Sequence, residues 1–260
     1  MEPWGTAHRL EAQCSHIAKY LEELKFPDSK NSESGAANRL KERALYYYTA
    51  GEDVWKKTEI WPPQGVNLQR WYFSDRALLT LDPPQNNAGK DRYRVDFEAG
   101  TGAYSRWDQM IPEVHYGDRT EADTGLLIYT SEPLAQTVEI TGHPVIHLQM
   151  SSTQTDGAVI AYLETVAPDG KVTMLTEGGL RLIHRKVSSE TPPYPVFGPY
   201  HTFEKKDVMP MQVGELAEIG FDLLPLSVRV NKGHALRVAI AGHDKDCFDR
   251  LPPAGEQVYE

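Results

Sequence analysis

The chain has 260 residues, and Asp+Glu 37 against Lys+Arg 27 leaves a formal net charge of −10 and a pI near 5.4. That balance argues against nucleic acid or an anionic membrane as a general partner, because both select clustered positive charge. No apolar run reaches the roughly 20 residues of a membrane-spanning helix, the N-terminus MEPWGTAHRLEAQ lacks the layout of a secretory signal, and Cys14 and Cys247 read as free thiols in a reducing compartment. A cytoplasmic globular protein is expected, long enough for one large β domain or two small domains.

In chain order, residues 8–25 (HRLEAQCSHIAKYLEELK) form the one convincing helical pattern. Leu10, Cys14, Ile17, Ala18, Leu21 and Leu24 fall on a single stripe at 3.6 spacing, Thr6 can cap the start and Pro27 lies just past the end. DSKNSESGAANR then reads as a loop or linker. From Ala44 the texture turns to β: ALYYYTA, LQRWYF, ALLTL and RYRVDF are short aromatic or alternating runs separated by Gly, Pro and Asp.

The stretch Asp118–Ser152 carries three strands of a half-buried antiparallel sheet. Leu126, Ile128 and Thr130 alternate with Leu127, Tyr129 and Ser131; Val138 and Ile140 follow; then Ile146, Leu148 and Met150 oppose Val145, His147 and Gln149. GAVIAYLETV and KVTMLTEGGLRLIHRK should pair as a hairpin through Pro168-Asp169-Gly170. The proline-rich SSETPPYPVFGPYHTFEKKDVMP cannot be a central strand and is expected as a surface crossover. QVGELAEIGFDLLPLSVRV and HALRVAIAG supply the last strands on either side of the Asn231-Lys232-Gly233 turn. Many short strands with a long crossing predict a β-sandwich of Greek-key or jelly-roll type, with a barrel as the alternative.

Chemistry-bearing motifs are sparse. No G-x-S-x-G elbow and no HGGG oxyanion loop occur. Cys14 lies on the apolar helical stripe, and Cys247 in HDKDCFD has carboxylate neighbours that would raise its pKa. His8 and His16 are too far apart for one ion, His143 and His147 flank a proline turn, and Asp244, Asp246 and Asp249 lack the rest of a calcium loop. No residue is therefore assigned to catalysis, and no cofactor or metal is expected. Tyr46, Tyr47, Tyr48, Trp55, Trp61, Trp71, Tyr72 and Phe73 could form a sugar-binding platform, or could fill the core and pack against a neighbouring domain.

Together these segments resemble one family. DRTEADTGLLIYTSEPL, with Asp118, Arg119, Asp123, Tyr129, Ser131, Pro133 and Leu134, resembles the opening of the C-terminal domain of the cocaine esterase/X-Pro dipeptidyl-peptidase family of serine hydrolases. The likeness runs on through the Pro168-Asp169-Gly170 hairpin to IAGHDKDCF. Upstream, YYYTAGEDVWKKTEIWPP supplies Gly51, Trp55, Trp61 and Pro62 in the family's order.

The resemblance implies a mainly β, galactose-binding-like jelly-roll over 40–260, preceded by a helical tail over 1–39 that corresponds to the end of an α/β-hydrolase domain plus a linker. It implies an accessory role: packing on an α/β-hydrolase domain, in cis or in trans, and shaping a pocket for a small ester or peptide. The chain alone would be inactive, since the family's Ser-Asp-His triad precedes this region. The family histidine follows Gly-Pro-Trp; here Glu2-Pro3-Trp4 is followed by Thr6 and only later by His8, so His8 inherits no role. Because family members continue past AGHDKDCF into final strands, the chain ending in GEQVYE is expected to be shortened at both ends and to lack a closing strand. A stand-alone carbohydrate- or ligand-binding module and a degenerate interaction paralogue are the competing expectations.

Overall fold

A computed structural model describes residues 44–85, 89–107 and 114–260; the helix expected over 8–25 and the linker after it lie outside them. Fourteen strands are present among the described residues: β1 (Leu45–Thr49), β2 (Val54–Thr58), β3 (Tyr72–Ser74), β4 (Leu78–Thr80), β5 (Tyr93–Arg94), β6 (Leu127–Thr130), β7 (Val138–Gly142), β8 (Val145–Met150), β9 (Ala158–Val166), β10 (Val172–Arg181), β11 (Ala217–Asp222), β12 (Leu226–Val230), β13 (Ala235–Ala241) and β14 (Val258–Tyr259).

The hydrogen-bonded order β10-β9-β13-β6-β4-β3 makes one six-stranded layer, antiparallel except where β4 meets β6. Across from it, β7 and β8 follow one another with a break at His143–Pro144. They pair with β12 and β11, broken at Leu223–Pro225, so the two make one long bent ribbon. Proline at each break removes a ladder donor and lets the ribbon bend. β1 joins β12 through Ala50↔Val228, β2 pairs on the far side of β1, and the short β14 joins β5. The main core lies between the layers. Val159, Ala161 and Leu163 from β9 and Leu236, Val238 and Ile240 from β13 meet Ile146, Met150, Ile219, Phe221, Val228 and Val230 from the ribbon. The fold is mainly β, and its two facing layers are compatible with a jelly-roll.

Local expectations hold in detail. β9 and β10 form the expected hairpin, with Gly170 at φ +91° and the Lys171 N–H donating to Asp169 at 3.1 Å. The region 187–209 contains no strand and only one short 3-10 turn, Lys205–Asp207, as its prolines require. In β8, Ile146 and Met150 are buried while His147 and Gln149 are exposed, the alternation of a half-buried strand.

That reading needs correcting for the six-stranded layer. Seven of the nine residues of β9 are buried, so both of its faces are covered. The second face packs Leu126, Ile160, Tyr162, Met174, Ala239 and Ala241 into a smaller core with Ala99, Tyr116 and Ile128. Irregular segments supply that cover, and alternation within a strand does not reveal them.

Candidate functional site

The motif Asp118-Arg119…Asp123 lies in this cover. Asp118 is exposed, and its Oδ1 accepts from the Thr120 N–H (3.0 Å), the Thr120 hydroxyl (2.6 Å) and the Val172 N–H (3.1 Å). These hydrogen bonds hold its carboxyl below the usual carboxylate range, the Thr120 hydroxyl most of all. Arg119, 4% exposed, turns inward. Its Nε meets Glu164 Oε1 at 3.0 Å, its Nη2 meets Asp123 Oδ1 at 3.1 Å, its Nη1 donates to Gly100 O at 3.3 Å, and the guanidinium lies 4.7 Å from the Tyr162 ring centre. A 3-10 turn, Ala122–Gly125, presents Asp123, which also meets Arg237 Nη1 at 3.4 Å.

Two cations thus face two carboxyls on a fully covered sheet face. Glu164 is pushed up to about 9: burial, then the adjacent Asp123 carboxylate, outweigh the Arg119 charge. Asp123 Oδ1 and Glu164 Oε2 are buried without a hydrogen bond, so Asp123 Oδ1 is compensated only through the Arg119 ion pair.

The neighbouring polar groups are spoken for. Asp244 Oδ2 accepts from Thr101 Oγ1 (2.7 Å) and Tyr162 OH (3.1 Å), and its Oδ1 accepts from the Asp246 N–H (3.1 Å). Among the described residues no group of His, Cys, Asp or Glu could hold a metal ion; Asp244 closes a turn. Cys247 sits against Thr101 Oγ1 (3.3 Å) and Ser105 Oγ (3.2 Å), and its thiol is raised chiefly by burial, with Asp244 contributing. Tyr129, from the same family motif, donates to Asp91 at 2.6 Å, and Ser131 Oγ accepts the Leu236 N–H at 2.9 Å. The motif is therefore an assembly of structural clamps.

The 46–73 aromatics divide. Tyr48, Trp71 and Phe73 pack against the main core, Phe73 at 4.6 Å from the Tyr129 ring. Tyr47 meets Trp61 edge-on at 5.4 Å, and Trp61 meets His143 at 6.3 Å. His143, at the ribbon break, also stacks on Phe197 of the crossover at 4.5 Å, with Nδ1 buried, unbonded and 3.8 Å from Asp222 Oδ2. Burial lowers its pKa, and Asp222 only partly opposes that. His147 is exposed on β8. His201 ties the crossover down, its ring nitrogens 3.0 Å from Lys186 O and 2.8 Å from Gly220 O. Tyr46 and Trp55 remain at the surface.

A model of the X-Pro dipeptidyl-peptidase C-terminal non-catalytic domain matches residues 36–259. The chain belongs to that family. A Mycobacterium tuberculosis protein named as a serine esterase is 42% identical over 240 residues, covering 90% of this chain and 38% of the relative. The cocaine esterase of a Rhodococcus strain is 29% identical over 221 residues, 80% of this chain and 35% of that enzyme. The chain thus spans well under half the length of the curated relatives it matches. Among solved structures, an α-amino acid ester hydrolase superposes with a TM-score of 0.66 at 18% identity, over 82% of this chain and 38% of that one. An aminopeptidase from a marine sediment archaeon gives 0.66 at 19%, over 82% and 37%. These likenesses establish the fold of the family domain.

Glu164, Tyr162 and Arg237 escaped attention in the sequence. A carboxylate within the apolar run GAVIAYLETV was the available signal, since an ionised group there needs a partner. The identity of that partner depends on chain packing.

Proposed function

We propose that this chain is the accessory C-terminal region of a serine hydrolase of the ester/amide or X-Pro dipeptidyl-peptidase type. It packs on an α/β-hydrolase domain, in cis or in trans, and forms part of the wall of a pocket for a small ester or peptide. The observation that carries this is the near-complete match to a non-catalytic domain family. The polar clusters of the described residues support it: Arg119 and Arg237 are taken up by Glu164 and Asp123, and Asp244 by Thr101, Tyr162 and Asp246. No nucleophile, base and oxyanion donor converge in them.

On this reading residues 1–39 are the end of the hydrolase region and its linker, residues 40–260 are the sandwich, and the protein works in the cytoplasm. No helix among the described residues is long and apolar enough to cross a membrane. The test is direct. The purified chain should turn over neither short acyl esters nor X-Pro-nitroanilides; turnover abolished by a serine-directed covalent inhibitor would overturn the proposal.

A further inference from the structure

We infer that the groove between the crossover and the outer edge of β11 binds the C-terminal end of an extended peptide, with Arg185 holding its carboxylate. The groove encloses about 400 Å³ and is lined by residues 185–187, Met209 and residues 216–218. Arg185 Nη1 donates to Leu182 O at 3.3 Å and to Met209 O, and Nη2 donates to Pro210 O at 3.1 Å. Carbonyls thus take three of the five guanidinium donors and leave Nε–H with the second Nη2–H. Arg181 turns the same side edge on Asp156, with Nε at 3.0 Å and Nη2 at 2.6 Å from Oδ2. Burial lowers the Arg185 pKa, and no carboxylate among the described residues opposes it. A half-buried guanidinium with that edge free grips a carboxylate through two parallel hydrogen bonds.

The backbone of β11 supplies the second contact. The Leu223 N–H donates to Pro144 O across the ladder at 2.8 Å, whereas Gly220 O turns outward to meet His201 Nε2 at 2.8 Å. Alternation then turns the Glu218 N–H and C=O outward as well. Further along that edge the way is closed, by His201 at Gly220 and by Gly178 of β10 against Asp222 O. At Glu218 it is open, because β11 pairs with β8 alone among the described residues. One open rung beside a blocked one suits a chain end, captured by main-chain pairing and a cation. Exposed Val187, Met209 and Leu216 give the terminal side chain an apolar seat. Lys186 adds little charge, since Asp207 pairs with it, and the exposed Glu218 carboxylate disfavours a second negative charge on the ligand. Every group named belongs to this chain, so the site does not depend on the accessory role.

The test is a backbone-amide NMR titration of the 260-residue chain with acetyl-Ala-Val-Leu as the free acid and as the C-terminal amide. The acid should move the amides of residues 185–187 and 216–218 with a Kd at or below about 1 mM, and the amide should bind at least about tenfold more weakly. Arg185→Lys keeps the charge but loses the fork, and should weaken the acid about tenfold. Leu216→Asp, at a position 73% exposed, should do the same while moving the melting temperature by less than about 2 °C, and decides the matter if Arg185→Lys does not fold. No shift at these amides up to about 10 mM acid, or equal affinity for acid and amide, would overturn the site. Isovalerate binding as tightly as the peptide acid would assign the groove to free carboxylic acids and overturn the peptide reading.

Discussion

Arg119→Met probes the covered ion cluster most directly, because methionine keeps an apolar stem against Tyr162 while deleting the charge. In the wild type Arg119 meets Glu164 at 3.0 Å and Asp123 at 3.1 Å on a face from which water is excluded. Removing one partner of a buried pair costs about 3–5 kcal/mol, because the remaining carboxylate is left uncompensated. Arg237 still reaches Asp123, and Glu164, raised to about 9, is already largely protonated at pH 7.5, so the lower end of that range is expected. For a chain of this size each kcal/mol moves the melting temperature by roughly 2–4 °C, giving a fall of about 6–12 °C by calorimetry at pH 7.5. Adding Glu164→Gln removes the stranded carboxyl and should recover at least half of the loss. A single-variant loss below about 1 kcal/mol, or a double variant no more stable than the single, would refute the reasoning.

Glu164 also sets a pH slope: its folded value, about 9, lies above its ordinary 4.5, so its contribution is full below 4.5 and is lost as pH rises through 9. Urea midpoints should therefore fall from pH 5 to pH 9, and Glu164→Gln should flatten that slope. His143 acts in the opposite direction. Burial depresses its folded pKa, so stability present above about 6.5 is lost as pH falls through the folded value, and His143→Phe should weaken the acid limb of the same titration. Gly51→Ala should cost about 1–3 kcal/mol by denaturant melts, because φ is +78° and a Cβ would stand 2.7 Å from the Arg229 carbonyl oxygen; a change under a few tenths of a kcal/mol would contradict that. Cys247 in a Cys14→Ser background should react with iodoacetamide at pH 7.5 about tenfold more slowly than in urea, since its half-buried thiol is raised by burial and holds its proton; equal rates would show that the site is open.

The strand content, the Pro168-Asp169-Gly170 hairpin, the strandless crossover and the family were all legible in the amino-acid order. Each rests on local information: side-chain alternation, proline's missing donor, glycine's freedom at positive φ, and spacing along the chain. The covered second face of the six-stranded layer was not legible, because the residues that cover it come from segments without periodicity. For the same reason Asp118, Arg119 and Asp123 could be seen as a motif but not understood as one. Their partners Glu164 and Arg237 lie 45 and 114 residues from the residues they bind, and only packing brings those strands under one turn. Order along the chain decided which residues can form strands and which family they belong to. The tertiary structure decided which charges are sealed from water and which apolar side chains remain exposed, since burial belongs to the assembled layers and not to any one segment.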